Sequence, residues 1–443
     1  MTPPVRRAAV FAVLSTLSLV VPVFGPMAGA ALAAVVLVGA FVVRDGPLFE
    51  LLAYPGDYED ERLYGVITFV LAGIALGLIA VGTSMSIAVF VGTVLLVGYG
   101  NLGEQAARLW TDHDAAVVAV FCLVATVAAV AGQLVVLGTA SPSFETVLPG
   151  VVFLAASGAL LAALLRDVLL LYDDPIVMLS VGFLLWLLAE LEPAIGTVEI
   201  AVALAVTIAL GVVSYALETA SIAGMLTGVL LGLVTIVLGG YGWFAVLIAF
   251  FAIGGLSTKF RYERKAELGV AEDNNGARGT GNVLGNAAVA LVAVLGYAAS
   301  STSLLPVDLP PMLFLFAFTG SIATAMSDTL SSEIGSVFET PRLITTFEPV
   351  EPGTDGGITW QGEIAGIVGA AIVATISFAL FPEVEAVGAA IIVAAGFVGM
   401  TVDSLLGATL EGSVLGNQGV NFLATLSGAL ICALLVLSFA VLG

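Results

Sequence analysis

The sequence predicts an all-α membrane protein, a polytopic transmembrane helix bundle of about fifteen spans with a cytoplasmic N-terminus, and three observations predict it. The first is composition: 60% of the 443 residues are hydrophobic and 10% charged, with a mean hydropathy of +1.15. A soluble domain is roughly one-half apolar and one-quarter charged. The second is length: apolar runs of about 17 to 24 residues recur along the whole chain, each sufficient to cross a hydrocarbon layer of about 30 Å as a helix. Lipid cannot satisfy backbone N–H and C=O groups, so spans are helices or a closed barrel, and runs without period-2 alternation exclude the barrel. The third is the placement of the basic residues, which becomes clear once the spans are laid out.

Met1 to Arg7 followed by an apolar run has the basic start of a signal peptide. No small-residue cleavage site follows, and a second run begins directly after Pro22 and Pro26, so a retained first span is expected at 8–24. The others are expected at 27–43, 64–81, 84–100, 115–138, 147–165, 175–190, 198–216, 220–238, 241–257, 282–299, 311–327, 364–381, 386–402 and 419–442. With Arg6 and Arg7 inside, every other basic residue falls in a cytoplasmic loop: Arg44, Arg62, Arg108, Arg166, Lys259, Arg261, Arg264, Lys265, Arg278 and Arg342. One missed span would reverse everything after it, so this agreement with the positive-inside rule tests the whole layout. The expected location is the cell membrane, multi-pass, with the working face cytoplasmic.

Against 12 Lys and Arg stand 33 Asp and Glu, a formal net charge of −21. That charge makes nucleic acid an unsuitable partner and suggests a salt-adapted, halophilic source, in which self-repulsion is screened. Cys122 and Cys432 both lie inside apolar runs and read as packing residues. His113 is the single histidine and sits in an acidic loop, which disfavours triad hydrolase chemistry.

Two halves differ in texture. Residues 1–195 form spans of Ala, Val, Leu and Gly with short loops, whose charges, such as Asp57, Glu59, Asp60 and Glu61, read as a solvated acidic face of unknown role. Residues 196–443 carry longer cytoplasmic loops, 258–281 and 328–363, and polar residues at span ends, so chemistry is expected there. Within this half, Gly224, Gly228 and Gly232 share one helix face, the small-xxx-small device for close helix approach.

Four groups could carry chemistry. Lys259-Phe-Arg-Tyr-Glu-Arg-Lys265 through Arg278 holds five of the twelve basic residues, beside glycines at 276, 279 and 281. It reads as a leaflet anchor or a phosphate-binding loop. Gly281-Asn-Val-Leu-Gly-Asn286 is echoed by Gly416-Asn-Gln-Gly-Val-Asn421, each pair of asparagines sharing a helix face. The third and fourth are Ser327-Asp-Thr-Leu-Ser-Ser-Glu333 and Asp403-Ser-Leu-Leu-Gly407. A carboxylate at mid-membrane costs about 2.5–3.5 kcal/mol even on insertion scales, so these face water, a cation or a partner. Asp328 and Glu333 point about 140° apart on an ideal helix and converge on one ion only if the helix unwinds. By span order all four groups reach one membrane face, and carboxylates, amides and cations together suit Mg²⁺-nucleotide chemistry. The turn-rich Glu351-Pro-Gly-Thr-Asp-Gly-Gly357 can bring backbone donors back to that face.

From about residue 196 onward the chain resembles the membrane-protein family that contains plant phytyl-phosphate kinase and animal transmembrane protein nineteen, an integral membrane domain of unknown function. The matching stretches are Ser327 to Gly335, Pro341 to Thr346, Pro352 to Gly357, Asp403 to Thr409 and the Lys259 to Asn286 region. It departs at Leu330, where an aromatic is usual after Asp-Thr, and at Asn282, where Gln is expected. The resemblance implies phosphoryl transfer from a nucleoside triphosphate, with CTP the expected donor, to an isoprenoid (phytyl or geranylgeranyl) monophosphate substrate.

On that reading Asp328 and Asp403, joined by Glu333, are the catalytic carboxylates, with Asp328 and Asp403 holding Mg²⁺. Lys259, Lys265 and Arg278 neutralise phosphates, and Asn282, Asn286, Asn417 and Asn421 orient nucleotide or headgroup. The alternatives are a lipid or anion transporter or flippase, whose site belongs near the midplane, and a CTP-dependent lipid cytidylyltransferase, which shares the site but releases pyrophosphate.

Overall fold

Backbone amides in lipid find no water to bond, and an α-helix satisfies them within its own segment. The computed structural model describes residues 3–138, 144–168, 173–269, 278–302, 304–338 and 340–442. Thirteen of its helices are long and apolar enough to cross a membrane, and with two further helices of 17 residues each they account for every predicted span. The chain divides into two compact units, Met1–Val202 and Ala203–Gly443.

In the first unit, α1 (Pro3–Thr16) continues through a 3-10 turn into α2 (Val20–Phe24). Next come α3 (Pro26–Val42), α4 (Gly46–Leu52), bent 107° from α3, and the single turn α5 (Asp57–Asp60). The long helices α6 (Tyr64–Gly82), α7 (Ile87–Ala107), α8 (Asp114–Gly138), α9 (Phe144–Val168) and α10 (Asp174–Glu190) complete it. Ser86 caps α7, its hydroxyl accepting from the Val89 N–H at 3.2 Å. This helix is the buried centre of the unit, packed against α1, α6, α8 and α10. Small residues permit the close packing: a Cβ at Gly98 would lie 2.6 Å from the Ser15 hydroxyl, and one at Gly100 2.8 Å from the Phe121 ring. The sequence reading of Asp57 as a solvated charge is corrected here. Asp57 is fully buried, and its carboxylate accepts the N–H groups of Tyr54 (2.9 Å) and Tyr64 (3.0 Å), pinning the segment that enters α6.

The second unit takes in most of α11 (Thr197–Ala216), then α12 (Ile222–Gly239) and α13 (Tyr241–Thr258), joined by Gly240 at φ +93°. The short α14 (Tyr262–Glu267) precedes α15 (Thr280–Ala299) and α16 (Pro311–Gly335). A hairpin of β1 (Arg342–Leu343) and β2 (Gly357–Ile358), antiparallel with Arg342 opposite Ile358, leads to α17 (Trp360–Leu380), α18 (Ala386–Leu410) and α19 (Asn417–Leu442). The hub is α16, surrounded by α13, α15, α17, α18 and α19. Trp243 of α13 lies 4.7 Å from the ring centres of both Tyr297 and Phe318.

Because lipid tails are as apolar as Leu, contacts to α16 rest on close packing rather than on exclusion of water. A Cβ at Gly369 of α17 would sit 2.8 Å from the Met326 carbonyl, and one at Gly396 of α18 2.7 Å from the Ala370 methyl and 3.1 Å from Ala323. The Gly224, Gly228, Gly232 stripe divides its work. Gly232 admits Phe244 and Thr207, Gly224 admits the backbone carbonyl of Arg278, and Gly228 faces open space.

Candidate functional site: a carboxylate pair between parallel helices

Both long acidic helices overrun their predicted ends, α16 to Gly335 and α18 to Leu410. Asp328 and Asp403 consequently lie inside helices, each seven residues from the C-terminal end of a 25-residue helix, roughly 10 Å of axial rise. The two helices run the same way, Gly396 and Gly399 of α18 lying against Ala323 and Thr324 of α16, so the carboxylates stand at the same depth and act on each other electrostatically. Asp403 Oδ1 is buried without a hydrogen-bond partner among the described residues. Glu411, just past α18, acts electrostatically on both aspartates. Its own carboxyl is raised above the ordinary 4.5 by burial and then by Asp355.

Because α16 does not unwind, Glu333 points away from Asp328, as ideal-helix geometry requires. Glu333, expected to join the catalytic carboxylates, acts electrostatically on Asp328 and forms a buried ion pair with Lys265. The Lys265 ammonium also donates to the carbonyls of Thr258 (2.8 Å) and Ser257 (3.4 Å) at the end of α13. Lys265, expected on phosphate, thus ties α14 to α13 and α16.

Arg278 is a cation whose charge acts on Asp328. Its backbone is held in a bridge, N–H to the Thr219 carbonyl at 2.9 Å and its own carbonyl accepting from the Ser221 N–H at 3.1 Å. Its buried guanidinium lies 5.5 Å from the Phe250 ring centre and against Gly254, where a Cβ would come within 3.1 Å of Nη2. From there its charge acts on Asp328. Lys259, at the end of α13, is exposed. Gly276 of the same loop lies outside the described residues.

The two Gly-Asn echoes meet. Gly281 and Gly285 of α15 present their bare faces to Gln418 of α19, where a Cβ would lie 3.2 Å from the Gln418 side chain and 3.2 Å from its carbonyl. Asn286 is buried and donates to the Asn282 carbonyl at 2.9 Å, while Asn282 and Asn421 are half-buried and Asn417 is exposed. The Pro352 to Gly357 turn folds back onto α18: Gly356, at φ +74°, lies so close that a Cβ would be 2.6 Å from the Ser404 carbonyl. Any side chain there would push the turn off the helix that carries Asp403.

Asp328 and Asp403 therefore come together, Arg278 acts electrostatically on Asp328, Lys265 and Glu333 pair with each other, and the asparagine pairs sit at adjoining helix starts. Sequence reading missed Glu411, which lies nine residues past the predicted span 386–402 but only one past the end of α18. It also missed Gly369 and Gly396, which let α17 and α18 approach α16. Among the described residues no cluster of three His, Cys, Asp or Glu side chains is placed to hold a metal. Mg²⁺ asks for less, one or two carboxylates with waters and substrate phosphates, and a buried, unpartnered Asp403 oxygen beside a second carboxylate fits that ion.

A family model described as integral membrane protein DUF92 matches residues 205–429. An uncharacterized membrane protein of Methanocaldococcus jannaschii is 34% identical over 218 residues, covering 48% of this chain and 84% of its own length. Protein VTE6, chloroplastic, of Arabidopsis thaliana is 31% identical over 226 residues, covering 48% of this chain and 65% of its own. Protein PGR of the same plant is 30% identical over 228 residues, covering 42% and 79%. No solved structure matches. The matched family segment holds the carboxylate pair, Arg278 and both Gly-Asn echoes, and the chain belongs to the DUF92 family of integral membrane proteins, to which its Ser327 to Gly335 and Asp403 to Thr409 stretches had pointed.

Proposed function

We propose that the second unit is a membrane-embedded kinase that moves a phosphoryl group from a nucleoside triphosphate, with CTP the expected donor, to an isoprenoid monophosphate. The observation that carries this reading is the Asp328–Asp403 pair, two carboxylates at one depth in parallel helices, with the charge of Arg278 acting on Asp328. The family resemblance supplies the reaction class. The positive-inside pattern supports a cytoplasmic opening of the site. An apolar pocket of about 90 Å³ between α11, α12 and α13, with Arg278 among its lining residues, supports a lipid tail lying beside the charged groups.

In the reaction, an oxygen of the prenyl monophosphate bonds to the γ-phosphorus as the bond from γ-phosphorus to the β,γ-bridging oxygen breaks. The products are prenyl diphosphate and nucleoside diphosphate. A phosphate monoester is largely ionised near neutral pH, with a second pKa of about 6, so the nucleophile needs no base. Asp328 and Asp403 would hold Mg²⁺, which when bound supplies charge neutralisation across the β- and γ-phosphates. Arg278 lies where it can meet a phosphate oxygen, and its burial strengthens that attraction. Asn282, Asn286, Asn417 and Asn421 would orient headgroups at the starts of α15 and α19, where helix N-termini favour anions. Lys265 and Glu333 act as positioning residues through the α13–α14–α16 tie.

A transporter would hold its site near the midplane. The aspartates lie about 10 Å from a helix end whose midpoint is about 18 Å away, which favours chemistry at the interface. The test is nucleotide consumption by purified protein in high salt with Mg²⁺, CTP or ATP, and phytyl or geranylgeranyl monophosphate. Prenyl diphosphate and nucleoside diphosphate are expected, with Asp328→Asn and Asp403→Asn each at least about a hundredfold slower. Nucleoside monophosphate with pyrophosphate would instead identify a cytidylyltransferase. Folded protein that consumes no nucleotide would favour transport.

A further inference from the structure

The first unit holds a second polar site, independent of the kinase reading. A cavity of about 320 Å³ opens between the start of α1 and the end of α9, walled by Arg7, Tyr54, Asn101, Arg166, Asp173 and Asp174. Arg166 is its centre. The guanidinium lies 3.1 Å from Asp174, 3.4 Å from Glu104 and 3.7 Å from Asp173, and donates to the Asn101 side-chain oxygen at 3.3 Å. Its Nε makes the 3.4 Å ion-pair contact with Glu104 but no hydrogen bond among the described residues. Arg7 forms another wall, its guanidinium stacked 3.9 Å over the Tyr54 ring and one of its donors on the Ala53 carbonyl at 2.8 Å.

Two physical facts constrain what this cavity takes. Glu104 is shared with Arg108 at 3.3 Å, which leaves Asp173 and Asp174 together on the single Arg166 guanidinium with little water around them, so among the described residues this pair carries one negative charge more than the guanidinium neutralises. No three carboxylates among the described residues converge tightly enough for a bare metal ion, and the volume is that of a small organic molecule. Arg7 on the other wall calls for an anionic group close to that positive charge. Burial, ahead of the attraction of Arg166, raises the Asp173 carboxyl above its ordinary range, the response of a carboxylate short of a cation. Burial, then Asp174, pushes the Tyr54 hydroxyl to about 12, which keeps it a hydrogen-bond donor.

We propose that this cavity binds a zwitterion with a primary ammonium next to an anionic group, the ammonium on Asp173 and Asp174 and the anion on Arg7. The chemistry is that of phosphoethanolamine, either free or as a phospholipid headgroup. The experiment is a binding titration on the purified full chain in a neutral maltoside detergent at fixed ionic strength. The probes are O-phosphoethanolamine, dihexanoyl phosphatidylethanolamine, dihexanoyl phosphatidylcholine and dihexanoyl phosphatidylglycerol. Saturable binding of an ethanolamine probe at least tenfold tighter than the choline or glycerol lipid is expected, because a quaternary ammonium has no N–H to donate and glycerol has no charge. Tighter binding of the lipid than of free phosphoethanolamine identifies a headgroup site, and equal binding a soluble ligand. Asp173→Asn and Arg7→Gln are each expected to weaken it at least tenfold. Equal affinity for the three lipids, or folded variants that bind like wild type, overturns the proposal. Should either variant fail to fold, the comparison of ethanolamine with choline on wild type decides.

Discussion

Lys265 and Glu333 show how far a single residue's role depends on its neighbours. Both are buried and bonded to each other, and removing one member of such a pair strands the other charge at a cost of about 3–5 kcal/mol. Lys265→Met and Glu333→Gln are each expected to lower stability by that order in detergent unfolding. The double variant Lys265→Met with Glu333→Leu should recover most of it, because an apolar pair of similar volume replaces a buried ion pair with little loss. Glu411 sets a pH dependence of known sign. Its folded carboxyl titrates above the unfolded one, so the folded chain binds the extra proton between the two values and stability falls as pH rises through that window. Glu411→Gln should flatten this fall in a series of melting temperatures from about pH 4.5 upward. The residue types at 328, 403 and 278 announced chemistry in the sequence. The 140° separation already set Glu333 on another face of the helix from Asp328, but its partner, Lys265, is 68 residues away, and no local pattern records such a contact.

Hydropathy locates a helix and misjudges where it stops. Asp328 and Asp403 end their apolar runs, yet the backbone continues to Gly335 and Leu410, because helix hydrogen bonds do not depend on side-chain polarity. That continuation turns two apparent span ends into one site at a shared depth. Close approach to α16 rests on glycines: Gly396→Leu would force α18 from Ala323 and Ala370. Overpacking of this kind costs about 1–3 kcal/mol, and activity should fall with it as the aspartates separate. Gly73 of α6 faces open space, so Gly73→Leu is the control expected to leave both unchanged. Gly228 also faces open space and lines the apolar pocket. Gly228→Leu should therefore raise KM for geranylgeranyl phosphate more than for geranyl phosphate, if the tail lies there, as measured with paired substrates.

At the scale of the whole molecule, charge and division into units matter most. A net charge of −21 on 443 residues repels itself over a Debye length of about 30 Å at 0.01 M salt and about 3 Å at 1 M. The melting temperature is expected to drop as salt is lowered, and a flat salt series would remove the inference of salt adaptation. The family match, residues 205–429, lies wholly within the second unit, Ala203–Gly443. Residues 203–443 expressed alone should therefore fold and retain any nucleotide consumption, read by the same product assay.

The amino-acid sequence by itself determined the solvent, the places of the long apolar helices and the family, because each depends on composition, run length or a contiguous motif. Tertiary structure decided which polar groups meet. It paired Asp328 with Asp403, gave Glu333 to Lys265, buried Asp57 and gathered Arg7, Tyr54, Arg166, Asp173 and Asp174 around one cavity in the half whose loops had read as plain acidic surface. In a bilayer a helix forms from its own segment, whereas a buried charge must be matched by a partner that any distant helix can supply.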